Sequence, residues 1–226
     1  MNLNNIKLYD LSLAIYHGCP AYSKLGTPII TRTSYRAREG YNAEQLIISN
    51  HTATHVDTPE HFYEGIGDSA SMPLEKFWGM GLFIDLRNKV SAQSPIGPEL
   101  LVPYDGVINQ GDFVLINTGW NSKRGYSEEY LRNFPYLNRA GAAFLRDKQV
   151  GAVGIDSLSL GGTGSLEKAQ GCHQELLAAG ILIFEEVFFP EEVMDDKKRP
   201  VSGFPLKIQA GSASPVRLVA YDWKDS

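Results

Sequence analysis

Three of the five histidines in this 226-residue chain fall within residues 51–61. The metal-competent side chains of this segment are separated by intervals of four, two and four residues: His51, His55, Asp57 and His61. Because successive side chains of an extended backbone alternate between two faces, even intervals place all four on one face. On a helix the last two would turn away from the first two, and the proline at position 59 favours extended backbone before it. We therefore predict a strand running into a loop, with imidazoles and a carboxylate converging on one side.

The chemistry of this segment indicates a metal site. Imidazole nitrogens and carboxylate oxygens are ligands for zinc, manganese and iron. The segment supplies no thiolate, which favours an open, catalytic site over a closed structural zinc site. It also lacks the glutamate beside the first histidine that the helix-borne zincin motif requires. The alternatives are a solvated histidine-rich strand, or core histidines satisfied by hydrogen bonds, but the density and even spacing favour metal binding.

The composition narrows the class of protein. With 43% apolar and 21% charged residues, the chain can bury a core, and its length favours one domain over residues 1–226. A net charge of −5 and a pI near 5.6 argue against nucleic acid as a partner. The sequence shows no membrane-spanning run or secretion signal, and Cys19 and Cys172 have no metal or redox spacing. We therefore expect a reduced, cytoplasmic protein that acts on a small molecule, without a membrane partner.

Helix and strand signals follow one another irregularly along the chain. Apolar periodicity and capping residues predict helices over 138–149 and 165–179, and a short helix over 72–77. Runs of β-branched and apolar residues predict strands at 6–16, 29–35, 45–50, 81–86, 112–118, 150–156 and 181–184. Because the strands do not alternate regularly with helices, we predict a mixed α/β fold rather than a Rossmann or barrel pattern.

Other polar and aromatic residues stand at positions where sites are built. His173 falls on the apolar face of the second long helix, where it is either a hydrogen-bonded core residue or a ligand. The last predicted strand runs into Glu185-Glu186; a carboxylate there requires a partner or a metal, and the pattern does not choose between them. Asp156 ends an earlier strand as a cap or as a residue behind the site. Trp120 is a candidate pocket wall for an aromatic substrate, or a core or dimer-contact residue.

Residues 51–62 closely resemble the H-x-G-T-H-x-D-x-P-x-H-F motif of the metal-dependent cyclase family, which includes bacterial kynurenine formamidases and isatin hydrolases. Ala53 stands where the family has glycine, which we interpret as a backbone φ below zero at this position. The family also pairs a helix histidine with a strand-end glutamate twelve residues later, a spacing that His173 and Glu185 match. The resemblance covers nearly the whole chain.

The resemblance implies two divalent metal ions per chain, with zinc as the first expectation and manganese as the second. It assigns one ion to His51, His55 and Asp57, and the other to Asp57, His173 and Glu185. It also implies a swivelling β/β/α fold with mixed sheets, and a homo-oligomer, either a dimer or a tetramer. His61 would act as proton donor and shuttle. His17, in a segment with Gly and Pro, would lie near the substrate pocket.

These features lead to three hypotheses of function. The first is a metal-dependent amidohydrolase that cleaves the C–N bond of an N-formyl aryl amide such as N-formylkynurenine, an arylformamidase of tryptophan catabolism. A metal-activated water would attack, and His61 would carry the proton to the leaving nitrogen. The second hypothesis places a cyclic amide, such as isatin, or a lactone in the same site. The third is a metal-binding protein without catalysis, in which His61 would have no role.

Overall fold

A nine-stranded mixed sheet organises the computed structural model, which describes residues 5–22 and 25–223. The strands are β1 (Ile6–Asp10), β2 (Ile29–Ser34), β3 (Ala43–Ile47), β4 (His55–Asp57), β5 (Trp78–Asp85), β6 (Pro95–Ile96), β7 (Phe113–Asn117), β8 (Tyr136–Leu137), β9 (Ala152–Ile155), β10 (Leu182–Glu185), β11 (Arg199–Ser202), β12 (Ala213–Pro215) and β13 (Val219–Trp223). The helices are α1 (Arg36–Glu39), α2 (Pro98–Leu101), α3 (Glu128–Arg132), α4 (Arg139–Asp147) and α5 (Leu166–Ala178). The predicted mixed α/β class, with the curled mixed sheet of a β/β/α arrangement, is confirmed.

The strands of the main sheet lie in the order β1-β13-β11-β5-β7-β9-β10-β4-β12. The block β5-β7-β9-β10 is parallel, and every other pairing in this sheet is antiparallel. Strand β10 therefore has a parallel neighbour on one side and an antiparallel neighbour, β4, on the other. Two further pairs, β2 with β3 and β6 with β8, form separate small sheets.

Both faces of the parallel block are buried, as is usual for parallel strands. On one face Ile84, Ile116 and Ile155 belong to a core cluster that includes Leu145 of α4 and Leu176 of α5. The sheet curls around its other face, which holds a second cluster drawn from both the parallel and the antiparallel strands: Phe83, Leu115, Phe184, Val201 and Ala220. The sheet between these two cores provides the rigid support for the site.

The two longer helices form where caps and apolar periodicity predict them. The Asn138 side chain accepts a hydrogen bond from the Gly141 amide at 2.8 Å and caps α4. The Ser165 hydroxyl accepts one from the Lys168 amide at 3.3 Å and caps α5, and Gly180 follows that helix at φ +69°. The buried stripe of α5 includes His173, as predicted, so this imidazole points towards the sheet.

The histidine-rich segment is extended over a shorter stretch than predicted. Only β4 is a strand, and it pairs His55 with Glu185 of β10 and with Pro215 of β12. The backbone before it turns, because Ala53 adopts φ +53°. Our expectation of a negative φ at Ala53 is therefore wrong. His51 lies in that turn, and His61 lies in a 3₁₀ turn after the strand.

Other departures from the sequence expectations are local. The first strand ends at Asp10 rather than continuing to residue 16, and the segment predicted as a helix over 72–77 is a 3₁₀ turn, Leu74–Phe77. Cys19 and Cys172 are both buried and free. Within residues 5–22 and 25–223, no helix combines the length and apolarity needed to cross a bilayer.

Candidate metal centre

The first half of the site comes from β4 and the turn before it. Asp57 is completely buried, and its Oδ1 lies 2.9 Å from Nδ1 of His51 and 3.4 Å from Nε2 of His55. The two imidazole nitrogens themselves are 3.2 Å apart. Three donor atoms from this one segment therefore converge, as the even spacing predicts, although the turn at Ala53 rather than a continuous strand brings His51 into place.

The second half comes from α5 and the end of β10. His173 Nε2 lies 3.0 Å from Oε1 of Glu185, and Oε2 of the same carboxylate lies 3.3 Å from His55 Nε2. The other oxygen of Asp57, Oδ2, is 3.8 Å from His173 Nε2. The structure thus brings all five predicted ligands together. Asp57 stands between the two halves, with one carboxylate oxygen towards each.

The surroundings of Asp57 fit a cation better than a hydrogen-bonded carboxylate. Both of its oxygens are buried, and neither accepts a hydrogen bond of acceptable geometry in the described part of the chain. A buried carboxylate without donors is unfavourable unless a positive charge or a metal neutralises it. The nearby imidazole nitrogens face it at close range without the alignment of hydrogen bonds. Divalent metal ions would satisfy these oxygens and nitrogens together.

The backbone fixes the orientation of one of the predicted ligand imidazoles. His55 Nδ1 lies 2.7 Å from the carbonyl oxygen of Ala53. Because a carbonyl can only accept, the proton of the neutral ring resides on Nδ1, which leaves the Nε2 lone pair directed into the cluster. This carbonyl belongs to the turn in which Ala53 has φ +53°. His173 is oriented differently, with its Nδ1 3.5 Å from Cys172 Sγ.

The charges of the cluster favour cation binding. Burial raises the pKa of Glu185, as does the charge of Asp57, but hydrogen bonds from His173 and His55 bring it down to about 2. Burial likewise opposes ionisation of Asp57, yet His51 and His55 hold its pKa well below the ordinary value. Although burial lowers the pKa of His55, the two carboxylates raise it well above its usual range, so a metal ion that binds here displaces the proton from Nε2 and takes its place between the carboxylates. Both carboxylates are therefore ionised at neutral pH.

His61 lies at the edge of this cluster, next to His51. Its ring centroid is 4.4 Å from that of His51 and 6.0 Å from that of His173. Burial lowers the pKa of His61, and the other imidazoles add to this effect while Asp57 opposes it. The ring is therefore neutral at pH 7 and able to accept a proton.

Two groups of three potential ligands emerge from the described residues, each with ligand atoms within 4.8 Å of one another. They are His51, Asp57 and His61, and His55, Asp57 and Glu185. This grouping differs from the division implied by the family resemblance, but Asp57 is common to both. Position alone therefore allows His61 to serve as a ligand or as a proton carrier, and its assignment as a shuttle stays a prediction.

A cavity of about 290 Å³ opens over the cluster. Among the residues described by the structure, its lining comprises Tyr22, Leu25, His51, His61, Phe62, Leu158, Ser159, Gly162, Leu166, Ala169, Gln170, His173 and Glu185. The Phe62 ring stacks on His173, with centroids 5.4 Å apart. The lining is therefore imidazole and carboxylate at the floor and largely apolar above it. This arrangement suits a flat, mostly apolar ligand whose reactive group reaches the floor.

Two residues predicted to contact substrate lie outside this lining. His17 is exposed, and its Nδ1 accepts a hydrogen bond from the Ile30 amide at 3.2 Å. Trp120 is buried in a small core cluster that also includes Leu158, and its Nε1 donates to the Tyr130 carbonyl at 3.2 Å. Trp120 therefore supports the wall from behind, through Leu158. Neither residue is positioned as a substrate contact in this structure.

Asp156 also has a local role. Its carboxylate accepts hydrogen bonds from the Thr118 amide at 3.0 Å and the Thr118 hydroxyl at 2.6 Å. It thereby holds the turn after β7, as a strand-end cap does. Sequence reasoning missed Phe62, Leu158 and Gln170 as cavity residues. Gln170 had a signal, because it lies three residues before His173 on the same helix, whereas Leu158 had none.

The sequence is similar to a family model and to individual proteins. A family model described as putative cyclase matches residues 9–161. Kynurenine formamidase of Bacillus cereus is 29% identical over 197 residues, which cover 85% of this chain and 87% of that protein. Kynurenine formamidase of Bacillus mycoides is 30% identical over 180 residues, which cover 79% of each chain. The family match ends before His173 and Glu185, whereas these pairwise alignments extend over most of the chain.

Solved structures share the fold. Isatin hydrolase A from Labrenzia aggregata superposes with a TM-score of 0.87 at 21% identity, covering 97% of this chain and 95% of that one. A structure described as a potential metal-dependent hydrolase with cyclase activity gives a TM-score of 0.77 at 27% identity, covering 96% and 98%. Because the family model spans more than half of the sequence, the chain belongs to the putative cyclase family, and it is a metal-dependent hydrolase.

Proposed function

We propose that this chain hydrolyses the C–N bond of an N-formyl aryl amide, with N-formylkynurenine as the first candidate substrate. The observation that carries the proposal is the position of Asp57, which is buried without hydrogen-bond donors between two sets of imidazole and carboxylate ligands. The relatives named kynurenine formamidase support the choice of substrate. Arylformamidase activity would place the enzyme in tryptophan catabolism.

The residues at the cavity floor and directly beneath it would hold two divalent ions. His51 and His55 would serve one, His173 and Glu185 the other, and Asp57 both. Bound divalent ions lower the pKa of water and polarise a carbonyl, the two requirements for attack on an amide at neutral pH. The nitrogen and oxygen ligands suit zinc, and manganese is the second choice.

His61 has the protonation state that proton transfer requires. Being neutral, it can accept a proton from the attacking water, and the imidazolium formed can then donate that proton to the leaving nitrogen. Loss of the amine is slow without such a proton, because an unprotonated amide nitrogen is a poor leaving group. The stacked Phe62 and His173 rings form a flat boundary beside His61, against which an aryl group can pack.

A second candidate substrate class is a neutral cyclic amide or lactone. Apart from the proposed ligands and His61, the described lining carries no charged side chain. The amino-acid end of N-formylkynurenine would therefore find no ionic partner within the described wall. An uncharged substrate such as isatin needs none, and this feature favours it.

One substrate panel tests both candidates. Metal-replete protein would be incubated with N-formylkynurenine, N-formylaniline, isatin and an aryl lactone, and formate or ring-opened product would be measured. Formate release that a chelator stops supports the proposal. Turnover of isatin or lactone alone transfers the activity to the second class.

The non-catalytic alternative makes a different prediction. If none of the four compounds is turned over while metal stays bound, a binding role replaces the proposed amide hydrolysis.

A further inference from the structure

Glu186 follows the proposed ligand Glu185 but faces a different environment. Its side chain is buried, with Oε1 accepting a hydrogen bond from the Tyr130 hydroxyl at 2.9 Å and lying 3.6 Å from Nε of Arg124. It does not line the cavity of the metal centre. A buried carboxylate is unfavourable without such partners, so Tyr130 and Arg124 stabilise Glu186 in its buried position.

The backbone of Glu186 joins both ligand segments. Its carbonyl accepts a hydrogen bond from the Thr54 hydroxyl at 2.6 Å, and Thr54 immediately precedes the ligand His55. The same hydroxyl accepts a hydrogen bond from the Leu13 amide at 2.8 Å. The Glu186 amide donates to the carbonyl of Ser157 at 2.9 Å. One residue thus connects the end of β10, the start of β4 and the loop after β9.

Glu186 also adopts a backbone conformation that is unusual for its side chain. Its φ is +52°, and Ala53, close to the opposite end of the same junction, has φ +53°. Left-handed conformations of non-glycine residues persist only where the surrounding contacts impose them, and they cluster at functional sites. Here the turn at Glu186 ends β10 directly after Glu185. It directs the Glu186 side chain towards Tyr130, away from the cavity that Glu185 lines.

We propose that Glu186, held by Tyr130 and Arg124, is a positioning residue that sets the geometry of the metal ligands Glu185 and His55. This inference rests on the proposed metal site. Tyr130 and Arg124 hold the Glu186 side chain, and the backbone of the same residue bonds to Thr54 and Ser157. Loss of the side-chain contacts would therefore loosen the turn and let Glu185 and His55 move relative to each other. Groups that hydrogen-bond directly to a metal ligand typically contribute 10–100-fold in metal affinity, and Glu186, which acts through the backbone, should contribute at the lower end of that range.

Cobalt(II) gives a readout that a merely structural role would not move. Metal-free protein would be titrated with Co²⁺, and the visible absorption spectrum would report both affinity and coordination geometry. We expect Glu186→Gln to lose roughly 10-fold in Co²⁺ affinity with an altered spectrum. Tyr130→Phe removes one hydrogen bond and should give a smaller change in the same direction, and it provides the test if Glu186→Gln does not fold.

Asp156→Asn is the matched control. Asp156 is also a fully buried carboxylate just after a strand of the same sheet, but it accepts its hydrogen bonds from Thr118, in the turn after β7. This variant should lower the melting temperature and leave the Co²⁺ spectrum unchanged. If Glu186→Gln behaves in the same way, the positioning role is overturned. If the parent protein binds no Co²⁺, the proposed metal site itself fails.

Discussion

The floor and the rim of the cavity are built in different ways. At the floor and directly beneath it, Glu185, His55 and Asp57 lie on paired strands and are buried, with each side chain within 3.4 Å of another in the set. On the rim, Leu25 and Leu166 come from a loop and from the first turn of α5, and both are exposed. The floor is therefore fixed by the fold, whereas the rim can change without repacking a core. Residues on the sheet would therefore determine the reaction, and the exposed residues of the rim would determine which substrate binds.

The most severe break in the floor is removal of the shared carboxylate. Asp57→Asn should lose metal and kcat/KM by more than ~100-fold, because loss of even an outer partner of a ligand costs about 10–100-fold. Metal content by mass spectrometry, together with turnover of the substrate panel, measures this. Circular dichroism against chelator-treated parent verifies the fold. Two ions per chain retained in Asp57→Asn would contradict the assignment.

A variant of His61 tests whether this residue is a metal ligand or the proton carrier. If it is the proton carrier, His61→Ala should lower kcat by about 10²–10⁴-fold while metal content stays constant, since general acid–base catalysis contributes that much. Parallel kinetics and metal analysis decide between the two roles. A variant that loses metal together with activity would make His61 a ligand and extend the floor to include it.

The pH dependence of the activity gives a second test of His61 as the proton carrier. Burial lowers the pKa of His61 below 6.5, and only the neutral ring accepts a proton. Activity should therefore be constant above this pKa and fall about tenfold per pH unit below it. A profile of kcat/KM from acid to neutral pH gives the midpoint. The corresponding limb should be absent from the residual activity of His61→Ala, and its persistence there would assign the limb to another group.

Changes at the rim should affect substrate binding but leave the metal in place. Leu166 is 74% exposed yet lines the cavity, so Leu166→Ala removes apolar contact with the substrate. We expect KM to rise about 5-fold, which corresponds to ~1 kcal/mol of lost apolar burial, with kcat and metal content unchanged. Leu74→Ala is the matched control, because Leu74 is 66% exposed and lies outside the cavity lining. Equal effects of both variants would refute a rim role for Leu166.

The smallest expected effect concerns the strained backbone of Ala53, in the turn before β4. Ala53→Gly should stabilise the protein by roughly 0.5–1 kcal/mol, because glycine removes the penalty of a left-handed backbone but adds chain entropy. Ala210, at φ +54° and exposed, provides the comparison. Ala210→Gly should give a similar gain in thermal melts without changing metal affinity. A destabilised Ala53→Gly would mean that the methyl group packs usefully enough to offset the strain.

The sequence predicts the floor better than the rim for a physical reason. The ligands of residues 51–57 are close in the chain, and their spacing reports a shared direction whatever the rest of the fold does. Helix α5 is likewise predicted by its Ser165 cap and its apolar stripe, which place His173 inward. The pairing of His173 with Glu185 required the family resemblance, because periodicity alone does not distinguish Glu185 from Glu186.

The rim depends on distant segments coming together. Tyr22, Leu158 and Leu166 come from separate segments that meet over the cavity only in the folded chain, and no local sequence pattern reports that contact. Residue type alone did not predict the role of Trp120. A tryptophan ring suits a substrate pocket and a protein core equally well, and here it packs in the core cluster behind Leu158. The turn at Ala53 was missed because alanine rarely adopts a positive φ.

Strand β4 has only three residues, and two of them, His55 and Asp57, are proposed ligands. So short a segment contributes few backbone hydrogen bonds of its own, and without bound metal it leaves a buried acid facing imidazoles. Any ion that binds the folded chain and not the unfolded one adds to its stability in proportion to the logarithm of ion concentration. The amount of intact enzyme in a cell would therefore rise and fall with the supply of the metal, even before substrate arrives.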